Sequence, residues 1–247
     1  MSFRPSLACL LSVAMLSSTS FGVEPPNNDG PQTPSLSQQL TEKAGEAIKR
    51  YPPEALAKMK SAVDSVRETG IEKSAKQVGD KAIDAKLSGW DGSSVQLSEL
   101  WKEGPVVLMW YRGGWCPYCN LQLRAMQNEL GALESTGAKL VVLTPELPAN
   151  AKKTAESNDL GIVALHDSKN EIAKKYGVVF DLPESILPIY RDRLKLGEVN
   201  GSDAMELPLS ATYVIDTDGV IRYAYLNADY KQRPEPSEII NFIKTLK

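Results

Sequence analysis

The segment PVVLMWYRGGWCPYCNLQLRAMQ, residues 105–127, decides the fold. Its first seven residues form an unbroken apolar run, as expected of a strand buried on both faces of a sheet. Gly113 and Gly114 then let the chain turn tightly. Pro117 suits the first position of a helix, where its missing N–H leaves no intrahelical bond unmade. Leu123, Met126, Leu130 and Leu133 carry that helix on over residues 117–134, and Gly137 follows its end. The segment reads as strand, turn and helix, with Cys116 at the turn. Its thiol faces the free N–H groups and positive end of the helix, which favour thiolate and lower the pKa from about 8.5 into a range of roughly 3.5 to 7.5. Cys119, one helical turn later, is within reach of whatever forms on Cys116.

Working outward, Lys139–Leu143 is a second buried strand, followed by a helix over residues 149–159. Gly161–Leu165 gives a third strand and Asn170–Tyr176 a short helix. Ala211–Asp216 and Val220–Tyr225 flank Thr217-Asp218-Gly219 as an antiparallel hairpin, and Pro236–Leu246 is a last helix. Upstream, Ile83–Leu87 and Val95–Leu97 flank Gly89-Trp90-Asp91-Gly92, another hairpin signal. With right-handed crossovers this order predicts an α/β protein with a mixed central sheet flanked by helices, the thioredoxin-like fold. In the long connection 181–209, Ile186, Leu187, Ile189 and Tyr190 predict a short apolar helix lining one wall of the site.

Residues 1–22 read as a signal peptide: Arg4, the apolar run Leu7–Leu16, then small residues before a cut at Val23. The run is too short to span a bilayer, and no other stretch approaches that length. Export implies a periplasmic or secreted protein. Cys9 leaves with this segment; the preceding Ser6-Leu7-Ala8 is a poor lipobox. Residues 23–35 form a flexible leader rich in Pro, Asn and Gly. Residues 36–77 form a helical extension, predicted as a hairpin with stripes Leu40, Ala44, Ala47, Ile48 and Leu56, Met59, Val63, Val66. Its expected partner is the following domain, 78–247, or a second copy in a homodimer.

The formal net charge of −3 comes from interspersed acids and bases, which argues against a nucleic-acid or anionic-membrane binder. The two cysteines of the exported chain lie three apart, a loop too small to staple a fold. Zinc needs two further thiol or imidazole ligands, and the chain has a single histidine, His166, read as a loop residue. No metal and no cofactor are expected. What remains is thiol redox chemistry.

RGGWCPYCNLQLRAMQ (112–127), VGDKAIDAKL (78–87) and ATYVIDTDGVIRYAY (211–225) resemble a peroxiredoxin-like protein of the alkyl hydroperoxide reductase/thiol-specific antioxidant family. LTPELPAN (143–150) and KYGVVFDLPE (175–184) resemble the same branch, so the likeness covers residues 78–247. It implies that Cys116 is the peroxidatic cysteine, that its sulfenic acid is resolved as a redox-active disulfide, and that a thioredoxin-like protein is the reductant. Cys119 matches no standard resolving position, but its spacing makes it the internal candidate. Arg112 and Gly113 are candidate substrate-binding residues.

The chain departs from the family pattern. Where Pro-x3-Thr-x2-Cys is usual, Met109 and Gly113 stand in place of Pro and Thr. Ser210 occupies the place of a second arginine, or of the cis-proline of thioredoxins, and is the third substrate-binding candidate; Pro208 is a shifted alternative for the cis-proline. Three readings stay open: a peroxidase for hydrogen peroxide or small organic hydroperoxides, a thiol–disulfide oxidoreductase acting on proteins, and a redox-switched binding module.

Overall fold

A computed structural model of the chain describes Met1 and residues 34–246. The signal-peptide reading and nearly all of the leader fall outside the described residues. Five strands make the central sheet, in the order β5-β4-β3-β8-β9. They are β3 (Val106–Trp110), β4 (Lys139–Thr144), β5 (Ala164–His166), β8 (Thr212–Ile215) and β9 (Ile221–Tyr225). β3 pairs in parallel with β4, from Val106 opposite Lys139 to Trp110 opposite Leu143, and antiparallel with β8. The sheet is mixed, as expected. Every residue of β3 is buried. Val106, Leu108 and Trp110 enter the core on one face, and Val107, Met109 and Tyr111 the core on the other, as the two-residue period of a strand requires.

The first of these cores is covered by α4 (Leu97–Glu103), α8 (Glu171–Tyr176) and the start of the terminal hairpin. At its centre the Asp167 carboxylate accepts from Trp110 Nε1 at 3.0 Å and from the first amides of α8, Ile172 at 2.8 Å and Ala173 at 2.9 Å. The second core holds α5 (Pro117–Asn128), α6 (Leu130–Glu134) and α10 (Pro236–Ile243). The single helix expected over 117–134 is therefore two, broken at Glu129. Asn128 and Gly131 on either side are poor helix formers. α7 (Pro148–Ser157) follows β4, and the hairpin strands β1 (Lys86–Ser88) and β2 (Ser94–Gln96) pair antiparallel.

The extension forms α1 (Leu36–Arg50), α2 (Pro53–Glu68) and the short α3 (Ile71–Ser74), but not a self-packed hairpin. α1 lies along α5, burying Leu36 and Leu40, and Glu235 at the start of α10 accepts from the amides of Leu36 at 3.2 Å and Ser37 at 2.6 Å. α2 instead buries Ala62, Val63 and Val66 beside the 181–209 connection. The predicted stripe of α1 fails at Ile48, which is 66% exposed because α5 covers the other end of that helix. These helices pack on their own domain.

The connection holds more than the expected helix. Its stem is a two-stranded ladder, β6 (Val179–Asp181) with β7 (Glu206–Pro208), followed inward by a π-helical turn over Ile189–Arg193 and α9 (Leu196–Asn200). Pro208 pairs with Val179 in this ladder, and the described residues contain no cis peptide bond, so it does not serve as a cis-proline. Among the described residues no helix is long and apolar enough to cross a membrane.

Candidate functional site

Cys116 is the N-cap of α5, with its own amide bonded to the Gly113 carbonyl at 3.0 Å. Its Sγ accepts from the amide of Cys119 at 3.4 Å and from Arg112 Nη2 at 3.1 Å. Both sulfurs are unpaired thiols, and both are buried, at 1% and 0% exposure. Arg112, at the end of β3, is itself only 4% exposed. Its guanidinium lies over the ring of Tyr230 at 4.3 Å and that of Trp115 at 5.5 Å. Trp115 in turn meets Tyr190 of the connection edge to face at 5.4 Å. The connection does form one wall, through Ile189, Tyr190, Arg193 and Leu194. The opposite wall comes from α1 and α2. Together they leave a cleft of about 470 Å³ that opens onto Cys116.

A second guanidinium, absent from the sequence reading, serves the other sulfur. Arg233, 7% exposed in the loop before α10, points Nη2 at Cys119 Sγ at 3.8 Å. No local motif announces it, because the loop reaches the site only once α10 has packed. Burial raises both thiols. The hydrogen bond between the two sulfurs raises Cys116 further and lowers Cys119, and the charges of Arg112 and Arg233 lower both. Contrary to the expectation from its helix N-terminus, the Cys116 thiol is pushed well above the ordinary thiol range, and Cys119 is the sulfur held well below it.

Arg112 is thus brought to Cys116. Gly113 presents no side chain there. It sits at φ +150°, and a Cβ on it would run into the Trp115 indole, so Trp115 occupies the space a threonine would need. Ser210 is buried, and its hydroxyl has no hydrogen-bond partner among the described residues; neither sulfur is joined to it. His166 is tied through Nδ1 to the carbonyl of Glu146 at 2.7 Å, as suits a strand-end residue. Glu146 is a further buried group the sequence reading passed over. Its carboxylate accepts from the Gly114 amide at 2.9 Å and the Thr154 hydroxyl at 3.2 Å, which fixes the turn before Cys116. Burial raises its pKa.

The sequence model of the AhpC/TSA family matches residues 78–224, well over half of the chain. The chain belongs to the AhpC/TSA family. It is 26% identical over 246 residues to the chloroplastic peroxiredoxin Q of Triticum aestivum, covering 100% of both chains. A putative peroxiredoxin of Mycobacterium tuberculosis is 25% identical over 142 residues, 58% of this chain and 80% of that one. Among solved structures, the peroxiredoxin-like protein from Aquifex aeolicus superposes with a TM-score of 0.55 at 20% identity, over 70% of this chain and 89% of that one. The peroxidoxin BcpB from Mycobacterium tuberculosis gives 0.54 at 20%, over 69% and 98%. These superpositions establish the thioredoxin-like fold of this AhpC/TSA member. The helices α1 and α2 that close its cleft lie outside the matched residues.

Proposed function

We propose that this AhpC/TSA member is an exported thiol peroxidase whose peroxidatic cysteine is Cys116. The observation that carries the reading is the burial of a Cys116 sulfur held 3.1 Å from the Arg112 guanidinium at a helix N-terminus. A small hydroperoxide enters such a site; the disulfide of a folded protein does not reach it without the site opening. This favours peroxide over protein disulfides as the oxidant.

In the proposed cycle the Cys116 thiolate attacks the terminal oxygen of the hydroperoxide. An S–O bond forms, the O–O bond breaks, and the alkoxide or hydroxide leaves. The proton that Cys116 hands to Cys119 as it attacks passes to that leaving group. Cys119, now a thiolate beside Arg233, attacks the sulfenic sulfur; the S–S bond forms and hydroxide leaves, taking a proton to become water. A thioredoxin-like dithiol then returns two electrons by exchange. That step needs the disulfide exposed, through unwinding of the first turn of α5. Export rests on residues 1–22 and predicts a mature N-terminus at Val23, readable by N-terminal sequencing.

The test is mass spectrometry of reduced protein given one equivalent of hydrogen peroxide. The expected product is an internal disulfide, the chain lighter by two hydrogens. The Cys119→Ser chain should gain one oxygen on Cys116, and Cys116→Ser should stay unmodified. Oxidation appearing first on Cys119 sinks the assignment.

A further inference from the structure

Arg112 is a buried cation without a counter-carboxylate. Among the described residues no Asp or Glu forms an ion pair with it. Its Nη2 reaches Cys116 Sγ at 3.1 Å, while its Nε has no hydrogen-bond partner among them. A long side chain held at one atom keeps many other rotamers within reach. What confines this one is aromatic: its guanidinium carbon lies 4.3 Å from the centre of the Tyr230 ring and 5.5 Å from that of Trp115. A guanidinium out of water is attracted to the face of such a ring. A carboxylate would hold the arginine as firmly, but its negative charge would oppose thiolate formation. A neutral ring holds the cation and leaves its charge to the sulfurs.

Tyr230 is the closer of the two rings, and it stands outside the family-matched residues 78–224. It belongs to the loop 226–235 between β9 and α10, which also brings Arg233 to Cys119. The loop is pinned where the Ala228 amide donates to Glu72 of α3 at 2.6 Å, and the Tyr118 ring meets Tyr230 edge to face at 5.5 Å. Lys231 also approaches the Tyr230 ring, at 5.2 Å, but is paired with Asp229 at 3.1 Å. The titratable groups facing Arg112 are Cys116 and Cys119 of α5, Tyr190 of the connection and Tyr230 itself. We infer that Tyr230 is a positioning residue, whose ring face holds the Arg112 guanidinium against Cys116 and so keeps its positive charge on the cysteine pair. The consequence for peroxide turnover rests on the thiol peroxidase reading; the hold on the cysteine pair does not.

The experiment makes two measurements on the reduced protein: the pH profile of its alkylation by iodoacetamide, and its rate constant with hydrogen peroxide at neutral pH. Tyr230→Leu removes the ring face, and should move the alkylation midpoint up by about one pH unit and slow hydrogen peroxide about tenfold. Tyr230→Phe keeps the face and should stay within about twofold of the wild type in both. Tyr230→Met is made beside Tyr230→Leu because a cavity can unfold one of them, and thermal denaturation checks both. In the Arg112→Leu chain, adding Tyr230→Leu should change neither reading further, since the charge it positions is gone. Folded Leu and Met variants with the wild-type midpoint overturn the inference. An undiminished loss in the Arg112→Leu background overturns it too, because a ring that acts without Arg112 only supports the fold. A midpoint that moves in Tyr230→Leu but not in Tyr230→Phe, on a protein that hydrogen peroxide oxidises no faster than a free thiol, upholds the positioning role and removes the peroxidase reading.

Discussion

Two arginines divide the labour at the cysteine pair. Arg112 touches Cys116, and Arg233 touches Cys119. Losing a positive charge makes a thiolate harder to form, so Arg112→Leu should move the midpoint of the rate–pH profile upward and slow peroxide attack by about 100-fold at neutral pH. Stopped-flow oxidation across a pH series reads both effects. Arg233→Leu should act later: the sulfenic acid on Cys116 should persist longer, because Cys119 is less ionised when it must attack. Trapping with a sulfenic-acid reagent reports that lifetime, and an unchanged lifetime would remove Arg233 from the resolving step. Arg112 was legible as a charge four residues before Cys116. Arg233 was not, because its place depends on how α10 docks. Gly113, an unexplained departure in the sequence, has its reason in the Trp115 indole lying where a threonine side chain would stand.

At the scale of elements, β3 and α5 position everything, and both were readable. The run 106–110 is buried throughout, and Pro117 starts the helix that Cys116 caps. What pattern reading missed are pieces without a period of their own. β6 and β7 are three-residue strands clamping the stem of the connection. The turn at Ile189–Arg193 is π-helical, and its Tyr190 meets the Trp115 ring. α1 and α2 were legible as helices but not in their packing, since an apolar stripe does not say which surface covers it. One buried joint holds β3 to α8: the Asp167 carboxylate and its three N–H donors. Asp167→Ala leaves those donors buried and unpaired, and should cost about 3 kcal/mol in denaturant unfolding. A loss no larger than that of an ordinary surface substitution would show that water reaches the joint.

The whole molecule depends on parts outside the family-matched region. α1 and α2 bury Leu36, Leu40, Ala62, Val63 and Val66 on the domain, so a chain cut to begin at Val78 should expose apolar surface and aggregate or bind a hydrophobic dye. Stability should also carry a mark of Glu146. Its native pKa is raised by burial, so the folded state keeps this proton to higher pH than the unfolded state, whose carboxyl titrates near about 4.3. That contribution is complete below about pH 4.3 and is lost as pH rises through the native value. Glu146→Gln should flatten that part of the stability–pH curve, as measured by urea unfolding at several pH values. Asp216, held low by the Val220 amide and Arg222 against its burial, gives the opposite slope at more acid pH.

The central claim is that Cys116 reacts with hydroperoxides and not merely as a thiol. The most direct measurement is the second-order rate constant for reduced protein with hydrogen peroxide, followed by Trp115 fluorescence in a stopped-flow instrument, with Cys116→Ser beside it. A rate orders of magnitude above that of free cysteine, lost in Cys116→Ser, is the predicted result. A rate no greater than that of a free thiolate, with rapid exchange against a protein disulfide, would contradict the account and make the pair a thiol–disulfide exchange site.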